Sequence, residues 1–280
     1  MLQQTNRDKS KSGSNLILTS NGISVAYNDY GDGAIPIIFI HGFPFNKNMW
    51  QPQVEELCKS HRVIAYDIRG YGSTSASTEE FSIALFADDL IHLMDILMID
   101  KAVICGLSIG GYVALNAMQR YNNRFAGLIL CDTQCSADTT EAKEKRYNSI
   151  KDIELNGTSG FIDGMIKNLF SESTYTNNPA LVEEVRSMMF SSSPESIIKT
   201  LKALAERWEA CSSLQEITVP NLIICGKEDK ITQSEKAEYM KQHIKGSELA
   251  IIEKAGHLST LEQTAEVNGH INRFIASINK

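Results

Sequence analysis

Six short apolar runs, at residues 35–40, 62–66, 102–105, 127–131, 222–225 and 249–252, alternate along the chain with stretches that read as helices. Runs this short that are apolar at consecutive positions bury both faces, as the strands of a central parallel sheet do. Ahead of them, strand-like segments at 15–19 and 23–28 flank Asn21-Gly22, a pair suited to the positive φ angles of a tight turn, so an antiparallel hairpin is expected to open the fold. Helices are expected after Ser82, a good N-cap, where Phe86, Leu90, Leu93 and Leu97 share a face; from residue 110, with Val113, Ala114, Ala117 and Met118; and from 265, with Val267, Ile271, Phe274 and Ile278. The pattern predicts an α/β fold with a mostly parallel central sheet covered by helices on both faces.

One stretch breaks the alternation. Between Asp132 and Pro220 no strand-like run occurs, and helices are expected near 141–153, 159–169, 179–190 and 194–208. A structureless loop of that length is improbable in a compact domain, so the stretch reads as a helical lid inserted into the sheet domain. The expected organisation is a polar tail over 1–14, a sheet body over 15–135 and 212–280, and a lid over 136–211.

Composition narrows the function. With 27 Lys and Arg against 34 Asp and Glu, the net charge of −7 provides no general basic field for nucleic acid. No apolar run approaches the ~18 residues of a membrane span, and the polar start has no signal-peptide core, so neither membrane nor export is expected. The six cysteines form no C-x-x-C pair, and Cys105, Cys131 and Cys225 sit in apolar runs. They read as free thiols of a reducing compartment, and the protein as cytoplasmic.

The chemistry concentrates at the ends of the apolar runs. Gly106-Leu107-Ser108-Ile109-Gly110-Gly111 fits G-x-S-x-G between a strand and a helix, the setting in which a sharp turn exposes a serine hydroxyl. A serine is a weak nucleophile near neutral pH, so it needs an imidazole, which in turn needs a carboxylate to fix its tautomer. Asp229 follows the run at 222–225 and His257 follows the run at 249–252, both at strand carboxyl ends where α/β sheets place their sites. For the acid, Asp132 and Glu228 are alternatives, with Asp229 favoured and Asp132 second. For the base, His61 precedes its strand and His92, His243 and His270 fall within helices. Backbone N–H groups of Ile109 and Phe43 are the expected oxyanion donors, since Pro44 has no N–H to give, and His41 is expected to hold the loop they frame.

These motifs together resemble the α/β-hydrolase superfamily. His41-Gly42-Phe43-Pro44 is similar to its oxyanion loop, Asp67-Ile68-Arg69-Gly70-Tyr71-Gly72-Ser73 to its D-x-R-G-x-G-x-S turn, and Gly106 to Gly111 to its nucleophile elbow. The stretches Gly226 to Asp229 and Ala255 to Leu258 resemble its acid and histidine loops. Residues 106–115 and 256–263 look most like the branch of 3-oxoadipate enol-lactonases, small carboxylesterases and cofactor-free haloperoxidases or perhydrolases. The resemblance implies a lid over the site and a serine hydrolase of a small carboxylic ester or lactone, acting through an acyl-enzyme without cofactor or metal. Lactonase or perhydrolase activity is the alternative, and a triad-bearing ligand receptor is an alternative of another class. Trp50, Met165, Met189 and Trp208 are expected to line the pocket, and Arg146, Arg186 or Arg207 could hold a lactone's free carboxylate. Oligomeric state is left open.

Overall fold

The computed structural model describes residues 13–278. Of the tail expected over 1–14, residues 1–12 lie outside the described residues, and Gly13 and Ser14 already belong to the first strand. The sheet has eight strands: β1 (Gly13–Ser20), β2 (Ile23–Tyr30), β3 (Ile37–Ile40), β4 (Val63–Tyr66), β5 (Ala102–Leu107), β6 (Phe125–Cys131), β7 (Asn221–Gly226) and β8 (Glu248–Ile252). Their order is β1-β2-β4-β3-β5-β6-β7-β8, with β1 and β2 antiparallel to their neighbours and β3 through β8 parallel. The opening hairpin turns at Asn21 and Gly22, both at positive φ.

Side chains alternate across each central strand, so every short run feeds two cores. Ile38 and Ile40 of β3 join one apolar cluster, and Ile37 and Phe39 join the other. The first cluster is closed by α2 (Ile83–Ile96) and α3 (Ile109–Arg120) through Phe86, Leu90, Leu93, Val113 and Ala117. As expected, Ser82 caps α2 by accepting the Leu85 N–H at 3.0 Å. The second is closed by α1 (Gln51–Leu57) and the C-terminal helix (Thr264–Ile278) through Val54, Leu57, Val267, Ile271 and Phe274. Fully burying side chains of this size contributes roughly 1.5–3 kcal/mol each, so the two layers fix the sheet and with it the strand ends.

Between β6 and β7 the chain forms only helices: α4 (Thr140–Asn156), α5 (Ser159–Ile166), α6 (Glu172–Asn177), α7 (Pro179–Phe190) and α8 (Pro194–Ala205). Four match the expected helices; the short α6, capped by Ser171, was not anticipated. Tyr71, in the turn after β4, donates to the Ser196 carbonyl at 3.1 Å and accepts from the Thr200 hydroxyl at 2.7 Å, and Lys199 donates to the Ser77 carbonyl at 2.9 Å. These bonds tie α8 to the body.

One cysteine expectation is overturned. Cys135 and Cys211 form a disulfide, whereas Cys58, Cys105, Cys131 and Cys225 are free. The pair is 76 residues apart in sequence and meets because the helical insertion leaves after β6 and returns before β7, the neighbouring strand. Local spacing carries no trace of such a pairing, and the cysteines therefore give no argument for a reducing compartment. No helix among the described residues is long and apolar enough to cross a membrane.

Candidate active site

Ser108 sits at the carboxyl end of β5 with φ 54°, ψ −114°, a conformation L-residues rarely adopt. The glycines around it make that turn possible by allowing close backbone approach. A Cβ at Gly106 would lie 2.2 Å from the Gly110 carbonyl oxygen, and one at Gly110 would lie 2.3 Å from that of Ile40. The serine is thereby lifted from the strand end while α3 packs against β3 and β5.

Its hydroxyl meets His257. Ser108 Oγ lies 2.9 Å from His257 Nε2, and His257 Nδ1 lies 2.8 Å from Asp229 Oδ2. With Nδ1–H donated to the carboxylate, Nε2 is left to accept the serine proton. Asp229 is itself held firmly: Oδ1 accepts the N–H groups of Ile231 and Thr232 at 2.7 and 2.9 Å, and Oδ2 accepts the Thr232 hydroxyl at 2.7 Å. Thr232 was missed by sequence reasoning, although a hydroxyl three residues after a loop aspartate is a readable turn signal.

Electrostatics follow this geometry. Burial alone would lower the His257 pKa, but the Asp229 charge and hydrogen bond outweigh it and hold the imidazole above 6.5. Burial would raise Asp229, and the charge and hydrogen bond of His257, with the Thr232 bonds, keep it below 3.8. Asp132, the second candidate acid, is fully buried at the end of β6 but bonds elsewhere: Oδ1 accepts the Gly226 N–H at 2.8 Å and Oδ2 the Ser259 hydroxyl at 2.6 Å. Burial and the Asp229 charge push its pKa up to about 8. Glu228 instead accepts the Glu172 N–H of the insertion.

His41 holds its loop as expected. Its Nε2 accepts the Ile68 N–H at 2.9 Å, so Nδ1–H donates to the Gly42 carbonyl at 2.7 Å. The Phe43 ring packs 6.2 Å from Tyr71 and 6.0 Å from Phe161 of α5. Ile109 opens α3, and the first N–H groups of a helix have no partner within it.

The four expected pocket residues do not converge. Trp50 is a core residue: the short 3₁₀ turn Lys47–Trp50 folds it beneath the sheet, its ring 4.6 Å from Phe39 and fully buried. Met189 is likewise fully buried in that core. Trp208 is part-exposed beside a small crevice shared with Tyr112, Cys135 and Arg207. Only Met165, with Phe161, sits partly buried where the two cores meet.

Glu262, also missed, joins the insertion to the histidine loop: its carboxylate accepts the Gly256 N–H at 2.6 Å, the Ser171 N–H at 2.8 Å and the Thr174 hydroxyl at 2.6 Å. Among the described residues, two side-chain groups bring metal-binding atom types together. In Cys135, Glu209 and Cys211 the sulfurs are bonded to each other; in Asp132, Cys225 and Asp229 burial keeps the thiol protonated and the carboxylates already accept hydrogen bonds. Neither set presents a free thiolate, the form in which cysteine ligates a metal.

A family model described as the alpha/beta hydrolase fold matches residues 35–264. The chain belongs to the α/β-hydrolase family. Among its relatives, it is 27% identical over 263 residues to 3-oxoadipate enol-lactonase 2 of Acinetobacter baylyi, covering 94% of this chain and 97% of that one. A thermophilic esterase from Thermogutta terrifontis has the same α/β-hydrolase architecture, with a TM-score of 0.91 and 35% identity over 95% of this chain and 99% of that one. The enol-lactonase of Burkholderia xenovorans, at 24% identity and a TM-score of 0.87, covers 93% of this chain and 100% of its own and shows a shared fold. Esterase and enol-lactonase relatives support a hydrolase of esters or lactones.

Proposed function

We propose that this α/β-hydrolase is a serine esterase of small, neutral carboxylic esters, with residues 136–211 as the lid over its site. The observation that carries the reading is the unbroken chain from Ser108 Oγ through His257 to Asp229, at 2.9 and 2.8 Å. Ser108 Oγ attacks the ester carbonyl as its proton passes to His257 Nε2, and the charge that forms on the imidazole is balanced by Asp229. The Phe43 and Ile109 N–H groups receive the oxyanion. Collapse returns the proton to the departing alcohol and leaves an acyl-serine. Water, deprotonated by His257, then releases the acid and restores Ser108.

The lid arginines support the neutral substrate. Arg207 pairs with Asp138 at 2.6 Å and Arg146 pairs with the same carboxylate, while Arg186 pairs with Asp163 at 2.9 Å. The Arg207 guanidinium also lies 4.5 Å over the Tyr112 ring. Each of the three already has a carboxylate partner, which favours a neutral ester, but Arg146 and Arg207 share the single Asp138 and so keep one positive charge between them; lactone hydrolysis, which the enol-lactonase relatives favour, is the second reading. The test is Ser108→Ala assayed on a panel of short-chain aryl esters and lactones. Turnover should fall by about 10⁴–10⁶-fold, and wild type should carry a transient acyl adduct on Ser108. Undiminished turnover by the variant, or binding without turnover by wild type as a receptor would show, overturns the reading; a preference for anionic lactones over neutral esters installs the second.

A further inference from the structure

Ser108, Asp229 and His257 come from three separate strand ends, and the sheet ladder stops before each of them. Something beyond the ladder has to set their spacing. The residues that do so lie at the end of β6, the strand that carries none of the three. Ser108 N–H donates to the Cys131 carbonyl at 3.0 Å, and the Thr133 hydroxyl donates to the Ser108 carbonyl at 2.8 Å. Between them, Asp132 spans the other two loops. Its Oδ1 accepts the N–H of Gly226, three residues before Asp229, at 2.8 Å; its Oδ2 accepts the hydroxyl and N–H of Ser259, two residues after His257, at 2.6 and 3.2 Å.

We propose that Asp132 is a positioning residue that clamps the acid loop to the histidine loop, with Thr133 clamping the nucleophile turn to the same point. The proposal rests on the triad reading above. Three features favour it over ordinary core packing. Asp132 holds a left-handed backbone, φ 45°, which costs energy in any residue but glycine and which aspartate tolerates better than most. Its carboxyl is fully buried beside a second carboxylate, so its place is unfavourable unless its hydrogen bonds offset the desolvation. Finally, the loops it joins already touch, since a Cβ at Gly226 would lie 2.0 Å from the Gly256 carbonyl oxygen, so a small change at the clamp is passed directly to His257.

The test compares Asp132→Ala, Asp132→Asn, Thr133→Val and Ser259→Ala with wild type by steady-state kinetics on a short-chain aryl ester. It adds the downfield proton resonance of the His257 Nδ1–H donated to Asp229, assigned by its disappearance in Asp229→Ala. Asp132→Ala should lower kcat by about 100-fold with KM nearly unchanged, and should shift or broaden the resonance, because a displacement of about 1 Å at a reacting group has that effect. Asp132→Asn keeps an acceptor for Gly226 and should recover part of both signals, while Thr133→Val should lower kcat and leave the resonance in place. If Asp132→Ala does not fold, Ser259→Ala, which removes one donor from the clamp, carries the same expectation on a smaller scale. Folded Asp132 and Ser259 variants that lose thermal stability but keep both kcat and the resonance overturn the proposal. A wild type that turns over no ester and leaves Ser108 unlabelled by a fluorophosphonate would defeat the esterase reading, and the resonance would still decide the clamp.

Discussion

The strand ends and the helical insertion differ in how much main chain takes part in holding them. At the strand ends the main chain is part of the fabric: Ser108 N–H meets the Cys131 carbonyl, Gly106, Gly110 and Gly226 bring main chains into contact, and the buried carboxylates of Asp132 and Asp229 grip N–H groups of the loops around them. In the insertion, side chains do the holding: Tyr71 to Thr200, Lys199 to Ser77, Glu262 to Ser171, Arg207 to Asp138, and the Cys135–Cys211 disulfide. Backbone contacts survive most substitutions and side-chain contacts do not. On the proposed esterase reading, the same catalytic geometry could therefore sit under differently contoured insertions, with chemistry fixed in the body and selectivity carried above it.

The largest effect that would sharpen this contrast is expected at the acid. Asp229→Asn keeps the shape but replaces an acceptor with an amide that can hold His257 in the wrong tautomer, and kcat should fall by about 10⁴-fold. Its pH profile adds a second check. In wild type the base form of His257 is needed, and Asp229 raises its pKa, so the acidic limb of kcat/KM should lie above pH 6.5. In Asp229→Asn the raising charge is gone and burial, which lowers the pKa, prevails, so the limb of the residual activity should move down. A limb that stays in place would mean that another carboxylate sets the His257 charge.

What the sequence revealed divides along the same line. The body was legible because each motif is local: a strand, a glycine turn and a reactive residue within six positions, repeated in order at Ser108, Asp229 and His257. Asp229 is already favoured over Asp132 in the sequence although both follow apolar runs, and their hydrogen-bond partners separate them, His257 for Asp229 and Gly226 for Asp132. The insertion's contacts were not legible. Cys135 meets Cys211 and Ser171 meets Glu262 across long stretches of chain, and Trp50, read as a pocket aromatic, is turned under the sheet onto Phe39 by a 3₁₀ turn that periodicity does not show.

A change inside the insertion should redirect selectivity and spare the chemistry. Burial would raise the Asp138 pKa, but Arg146 and Arg207 outweigh it and keep the carboxylate charged and committed to them. Asp138→Asn removes that charge from beside Arg207, whose guanidinium lies over the ring of Tyr112, and the Tyr112 N–H reaches the Ser108 carbonyl at 3.3 Å. The ratio of kcat/KM for an ester bearing a free carboxylate to that for its neutral methyl analogue should rise by about tenfold, through local electrostatic complementarity. Paired kinetics on the two esters check it, and an unchanged ratio would mean that the arginines lie outside the substrate's reach.

The smallest effect on turnover is expected at the disulfide, which makes it the sharpest test of the division. Cys135 and Cys211 sit where the insertion leaves the body and rejoins it, so the bond closes a loop containing α4 through α8. In the loop-closure picture, cross-linking residues 76 apart removes unfolded-chain entropy corresponding to about 4.5 kcal/mol. None of the hydrogen bonds at Ser108, His257 or Asp229 passes through either cysteine. The Cys135→Ser/Cys211→Ser double variant should therefore unfold at markedly lower denaturant concentration, with kcat on a small neutral ester within about threefold of wild type at temperatures where both are folded. A large loss of kcat in the folded double variant would show that the insertion's attachment reaches into the triad, and the separation of chemistry from selectivity would fail at its hinge.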